Sequence, residues 1–67
     1  MNKHNTIPVE VNQIYRLRII GIGKEGDGIG KVKKFTVIVP HTQIDERVKV
    51  RIVRIPAPSF AVGEVIE

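Results

Sequence analysis

Glycine recurs at every second or third position of the stretch Gly21-Ile22-Gly23-Lys24-Glu25-Gly26-Asp27-Gly28-Ile29-Gly30, and five of these ten residues are glycines. Runs of alternating apolar residues flank the stretch on both sides. Asp-Gly between two such runs is a strong signal for a tight hairpin turn, because glycine adopts a positive φ without a steric penalty. The stretch therefore predicts the first hairpin loop of a small β-barrel, with its turn at Asp27-Gly28.

The same stretch contains a literal match to the dinucleotide-binding pattern G-x-G-x-x-G, at residues 21–26. That pattern binds a pyrophosphate only where a helix begins at its end. Residues 27–30 show no helical period, and 67 residues are too few for a doubly wound sheet. The P-loop pattern also fails, because Gly30-Lys31 would need glycine at Glu25 and Ser or Thr at Val32. The hairpin interpretation is therefore preferred.

Composition limits the class of protein. A chain of 67 residues forms one domain with a thin core, and it has no cysteine for a disulfide. Two histidines, His4 and His41, are too few for a metal site. The net charge of +4 favours an anionic partner, with nucleic acid the commonest and an acidic membrane surface the competitor. No membrane span or signal peptide is visible, so we expect a cytoplasmic protein. We also expect no cofactor.

Alternation of apolar and polar residues predicts five strands, which close into a small all-β antiparallel barrel and leave no exposed sheet edge. Lys33-Lys34 makes the second turn, Pro40 ends the third strand, and residues 56–59 form the last turn. Residues 53–55 break the alternation, which indicates a bulge or a strand end. The predicted inward residues of the first four strands are Tyr15, Leu17 and Ile19; Gly28, Gly30 and Val32; Phe35, Val37 and Val39; and Val48, Val50 and Ile52.

The N-terminal residues are polar and show little pattern. We therefore predict a flexible tail at residues 1–12 and the barrel domain at residues 13–67. Val9 and Val11 leave open a short pairing segment within the tail. Between the third and fourth strands, Thr42 is a candidate cap for a single turn that ends near Glu46.

The outward phases of three strands collect six cations, and these phases contain no acid: Arg16 and Arg18, Lys31 and Lys33, Lys49 and Arg51. Such a surface can follow a phosphate backbone. The alternative is a set of solvated strand faces that discourage aggregation. Phe60 is the best candidate for stacking on a base, because it opposes Ala61 and Gly63 in phase. Tyr15 and Phe35 share a phase with aliphatic residues and are assigned to the core.

Catalysis has little support in the sequence. No nucleophile is paired with a base, and the adjacent Asp45 and Glu46 fit a solvated turn better than a carboxylate dyad. We therefore expect a binding protein and not an enzyme.

Four segments, taken in order, resemble the TRAM domain family: Gly26–Val32, Phe35–Pro40, Arg47–Ile52, and Phe60-Ala61 with Glu64-Val65. The resemblance runs from about Tyr15 to Glu67. It implies an OB-like barrel that binds RNA. The chain departs from the family at His41 and residues 43–46, where glycines are usual, and at Ile38, where many members carry an aromatic residue.

The resemblance also implies a function. Members occur as domains of tRNA-modifying enzymes and as short, stand-alone basic proteins typical of archaea, which resemble cold-shock RNA chaperones. This chain resembles the stand-alone kind. We therefore expect a monomeric RNA chaperone of low specificity that binds single-stranded or structured tRNA, rRNA or mRNA and no small-molecule substrate. The candidate RNA-binding residues are Arg16, Arg18, Lys31, Lys33, Lys34, Lys49, Arg51, Arg54 and Phe60.

A second hypothesis comes from another class of protein. The small core and Ile38, if exposed, would suit an adaptor that docks on an RNA-modification or ribosomal assembly. RNA titration distinguishes the two hypotheses.

Overall fold

A computed structural model describes residues 7–67, and within them the chain forms six β-strands and no helix. The strands form one sheet in the order β1-β5-β6-β4-β3-β2. β1 and β2 follow one another in the chain, yet they lie at opposite ends of this order. The sheet therefore curls until its two ends meet. The bounds are β1 (Ile14–Arg18), β2 (Gly21–Ile22), β3 (Gly28–Val32), β4 (Phe35–Val39), β5 (Arg47–Ala57) and β6 (Phe60–Val65).

A bend at Ile19-Ile20 joins the two ends of the sheet. The Ile19 N–H donates to the carbonyl of Glu46, just before β5, at 2.8 Å. The next N–H, that of Ile20, donates to the carbonyl of Ile29 in β3, also at 2.8 Å. Counted as one bent strand, β1 and β2 give the five predicted strands, and the all-β class is confirmed.

One pairing differs from the predicted antiparallel barrel. β4 and β6 run parallel, from the Thr36–Phe60 pair to the Ile38–Val62 pair. β5 does not pair with β4 but with β1. β6 then runs antiparallel to β5, and this places it beside β4 in the same direction as β4. Local alternation carries no information about this pairing, which depends on where the hairpin docks.

The predicted inward residues fill the barrel. Tyr15 and Phe35 are half-buried and pack against this core. The inward-facing glycines Gly28 and Gly30 are buried as well. These burials confirm the predicted phases of the first four strands. The buried apolar residues are Val9, Leu17, Ile19, Val37, Val39, Val48, Val50, Ile52 and Ala61.

The segment before β1 contributes to the core. Val9 is only 2% exposed. The Asn12 N–H donates to the carbonyl of Ile52 at 2.7 Å, which fixes the end of this segment against β5. The predicted division into a tail at 1–12 and a domain at 13–67 stays a prediction, and its first six residues lie outside the described residues. Packing of the described barrel nevertheless includes Val9.

The turn of the first hairpin is centred on residues 24–25 and not on Asp27-Gly28 as predicted. The Gly26 N–H donates to the carbonyl of Gly23 at 3.0 Å, and Gly26 has a φ of 89°. This glycine supplies the left-handed conformation that the turn requires. Gly28 begins β3 instead and faces the interior.

The loop between β4 and β5 forms a turn at residues 43–46, but Thr42 does not cap it. Thr42 is buried, and its hydroxyl donates to the carbonyl of Val39 at 2.8 Å. The Gln43 N–H donates instead to the carboxylate of Glu46 at 2.8 Å. The side-chain acceptor predicted at Thr42 is therefore supplied by Glu46 from the other end of the turn.

β5 is longer than predicted. The ladder with β6 shifts between Ile52 and Arg54, which confirms the predicted bulge. The strand then continues through Ala57, so Pro56 belongs to it and the turn shrinks to Pro58-Ser59. A second register shift between Arg54 and Ala57 accommodates Pro56, which has no N–H for the ladder.

The turn between β3 and β4 is formed by Lys33 and Lys34, as predicted, and both have positive φ values of 50° and 72°. Such two-residue turns favour Asn-Gly, because a side chain in the left-handed region costs about 1 kcal/mol. We expect the double substitution Lys33→Asn and Lys34→Gly to raise the free energy of unfolding by about 1 kcal/mol. In thermal unfolding this corresponds to a Tm increase of roughly 4–8 °C. A lower Tm would contradict the assigned turn geometry.

Candidate nucleic-acid interface

Cations oppose one another directly on β1 and β5. Antiparallel pairing places Arg16 opposite Lys49 and Arg18 opposite Arg47. Like charges at such positions destabilise a sheet, because their side chains extend from neighbouring strands on the same face. Arg51 continues the row on β5, opposite Ile14. We call Arg16, Arg18, Arg47, Lys49 and Arg51 the β1–β5 cationic face.

Strand alternation directs this face outward. Leu17, Val48 and Val50 are buried between the cations, so the charged residues of both strands lie on the outer side of the barrel. An open depression of about 690 Å³ runs along this face. It is lined by Arg16, Leu17, Arg18, Arg47, Val48, Lys49 and Glu67. The depression therefore presents guanidinium and ammonium donors from two strands to one ligand.

Acids from other segments pair with three of these cations. The Lys49 ammonium lies 3.0 Å from the Glu67 carboxylate, and the Arg18 Nε lies 3.9 Å from Asp45 Oδ1. Arg51 binds the carboxylate of Glu64. The sequence interpretation considered only the cationic strands, where the outward phases hold no acid. The structure corrects it, because Asp45, Glu64 and Glu67 reach the same face from neighbouring segments.

Within residues 7–67, Arg16 and Arg47 form no ion pair with a carboxylate. Both are exposed. The sequence alone does not single out Arg47, because it stands at the predicted start of a strand. Its two-residue spacing from Lys49 and Arg51 was the available signal, because it places all three in one outward phase.

The remaining candidates lie on β3, on the β3–β4 turn, on β6 and farther along β5. Lys31, Lys33 and Lys34 are exposed at the end of the β3–β4 hairpin, and the Lys31 ammonium donates to the Thr36 hydroxyl at 2.9 Å. Thr36 in turn pairs with Phe60, which is half-buried. We call Lys31, Lys33, Lys34, Phe60 and Arg54 the hairpin surface. Arg54 lies opposite Val62. In the sheet order, β6 and β4 separate β3 from β5.

The nine predicted residues thus divide between these two named surfaces, and their role in RNA binding stays a prediction. Four belong to the β1–β5 cationic face and five to the hairpin surface. Among the residues that the structure describes, no cluster of His, Cys, Asp or Glu is suited to hold a metal ion. The same part of the chain contains no helix long and apolar enough to cross a membrane. The Arg and Lys side chains of the two surfaces can donate hydrogen bonds to an anion.

Comparison with known proteins matches most of the chain. A family model described as TRAM domain matches residues 8–66. The ribosomal RNA large subunit methyltransferase E of Haloarcula marismortui is 44% identical over 66 residues, which are 97% of this chain and 25% of that protein. An uncharacterized protein of Methanocaldococcus jannaschii is 40% identical over 60 residues, which are 90% of this chain and 77% of that protein.

A similar fold has also been solved. The solution structure of a conserved protein of Methanococcus maripaludis matches with a TM-score of 0.87 and 29% identity, over 98% of this chain and 93% of that one. The chain spans only 13% to 28% of the length of the RNA methyltransferases and the translation initiation factor 2 subunit beta that it matches.

Proposed function

Because the chain belongs to the TRAM domain family, we propose that it is an RNA-binding module that acts as a low-specificity RNA chaperone. The names of its relatives, RNA methyltransferases and a translation initiation factor subunit, support RNA as the class of partner. The proposal does not extend to methyl transfer, since the chain matches only 13% of one such enzyme and 25% of another. We propose that it acts as a monomer in the cytoplasm.

The observation that carries the proposal is the opposition of Arg16 to Lys49 and of Arg18 to Arg47. Cross-strand pairs of like charge oppose folding, and one cation of each pair, Arg16 or Arg47, has no acid partner within residues 7–67. A strand of RNA laid along the depression would place phosphates between the two rows. The repulsion between the rows would then be replaced by attraction of both to the phosphates.

Low specificity follows from the kind of contact available. Arg and Lys contacts to phosphate position a nucleic acid but do not distinguish its sequence. Phe60 on the hairpin surface offers a stacking platform that accepts any base, and such stacking contributes about 1–3 kcal/mol per base. Contacts of this type, each weak, would hold single-stranded segments open and let misfolded RNA pair again.

The adaptor hypothesis receives less support from the structure. That hypothesis rests on the small core and on Ile38, which is half-buried and lies in register between Ile29 of β3 and Val62 of β6. Ile38 is therefore one of three half-buried apolar residues in a cross-strand row and not an isolated exposed side chain.

The proposal is tested by titrating the nitrogen-labelled chain with a single-stranded dodecamer of uridylate. We expect amide shifts at β1 and β5, and a slope of log affinity against log salt near −3.5 if all five cations of the face engage phosphates, or about −2 if three do. An adenylate dodecamer is expected to bind with similar affinity. Absence of shifts would reject the RNA-binding role, and binding that is indifferent to salt would reject phosphate contacts as its basis.

A further inference from the structure

We propose that Glu64 and Glu67 determine which anions the β1–β5 cationic face accepts. The Glu64 carboxylate pairs with Arg51 and the Glu67 carboxylate pairs with Lys49, and both take the place that a phosphate would otherwise have. The face then selects strands with several phosphates and rejects single nucleotides. This inference rests on the proposed RNA-binding function and deepens it by naming the class of ligand.

Backbone pairing holds Glu67 beside Lys49. The Ile66 N–H donates to the carbonyl of Lys49 at 2.8 Å, and the Lys49 N–H donates to the carbonyl of Glu67 at 3.4 Å. The ladder between β5 and the end of the chain thus continues past β6. Since the backbone is fixed, the Glu67 carboxylate stays within reach of the Lys49 ammonium at a high effective concentration.

Glu64 is held in the same way opposite Arg51, its register partner on the neighbouring strand. The Arg51 guanidinium also donates to the side-chain oxygen of Asn12 at 3.2 Å, so its position is fixed from two sides. Both acids therefore belong to the sheet that carries the cations. They differ in this from an acid on a loop that only lowers the net charge.

These ion pairs are weak enough to be displaced. The Glu64 and Glu67 side chains are 51% and 72% exposed, and ion pairs in contact with solvent contribute little to stability. A single phosphate at Lys49 must nevertheless compete with a tethered carboxylate, and it gains only one contact. A longer strand can first bind Arg16 and Arg47, which have no acid partner within residues 7–67. Its next phosphates then displace the acids in an intramolecular step.

The test compares the substitutions Glu64→Gln and Glu67→Gln, singly and together, with Glu10→Gln. Glu10 is exposed and has no ion-pair partner among the described residues, so its substitution changes the net charge equally without freeing a cation of the face. The probes are the uridylate dodecamer and uridine monophosphate. Amide spectra of each variant show whether it remains folded.

We expect each single variant to bind the dodecamer about two- to threefold more tightly than the native chain, and the double variant about five- to tenfold. Glu10→Gln is expected to change affinity by less than about twofold. Uridine monophosphate should gain affinity in the double variant and shift the amides of Lys49 and Arg51. Equal effects of Glu67→Gln and Glu10→Gln would overturn the inference and leave the RNA-binding function intact. Failure of the native chain to bind the dodecamer would reject both.

Discussion

Replacement of Arg16 by glutamate is expected to weaken binding of the uridylate dodecamer by about tenfold or more, without loss of fold stability. Arg16 lies opposite Lys49, so Arg16→Glu converts a repulsive cross-strand pair into an attractive one. The new pair is expected to add a few tenths of a kcal/mol to the free energy of unfolding, up to about 1 kcal/mol. The substitution also removes the phosphate contact of Arg16, and the new carboxylate pairs with Lys49, which is then less available to a phosphate.

The two outcomes are measured separately, by thermal unfolding and by RNA titration. The matched control is Lys24→Glu, which changes the net charge equally at an exposed position of the 23–27 loop. It is expected to reduce affinity less than Arg16→Glu does. Equal losses for the two variants would show that overall charge, and not the opposed rows, governs binding. A marked fall in Tm for Arg16→Glu would contradict the repulsion argument.

The substitution Gly28→Ala is expected to lower the free energy of unfolding by about 2–4 kcal/mol. A β-carbon there would lie 1.9 Å from the Thr42 hydroxyl oxygen and 3.1 Å from the carbonyl of Val39. Thr42 would have to turn away and lose its buried hydrogen bond to that carbonyl. Overpacking and a buried hydroxyl without a partner each cost about 1–3 kcal/mol.

In thermal unfolding, this loss corresponds to a Tm decrease on the order of 10 °C or more. Gly21→Ala is the control, because a β-carbon at Gly21 meets no atom within 4 Å. Its effect is expected to stay within about 1 kcal/mol. Similar Tm values for the two variants would mean that the barrel can open around Gly28 at little cost.

The inward residues could be predicted because alternation is a local property of each strand. Val37 and Val39, or Val48 and Val50, carry their phase in their own spacing. The first turn could not be located in the same way, because Gly26 and Gly28 are both plausible turn residues in isolation. What keeps Gly28 out of the turn is its place in β3, where a β-carbon would lie 1.9 Å from the hydroxyl of Thr42, which follows two strands later.

The candidate site shows the same limit. The outward direction of Arg16 and Lys49 follows from strand phase, but their opposition depends on register between strands far apart in sequence. The acids that pair with the face are similarly remote: Glu64 lies 13 residues after Arg51 in the chain. Because alternation describes each strand separately, it does not reveal these acids and overestimates the number of cations on this face that have no acid partner.

The bend at Ile19-Ile20 also has a consequence for the order of folding. The β3–β4 and β5–β6 hairpins join neighbouring segments and can form independently of each other. The bent segment pairs with both, and its register joins Ile14 to the distant Arg51. Contacts over such a separation carry a large loop-closure entropy and slow folding. Docking of this segment is therefore expected to be a late step, which adds a second connection between two hairpins that the β4–β6 pairing already joins.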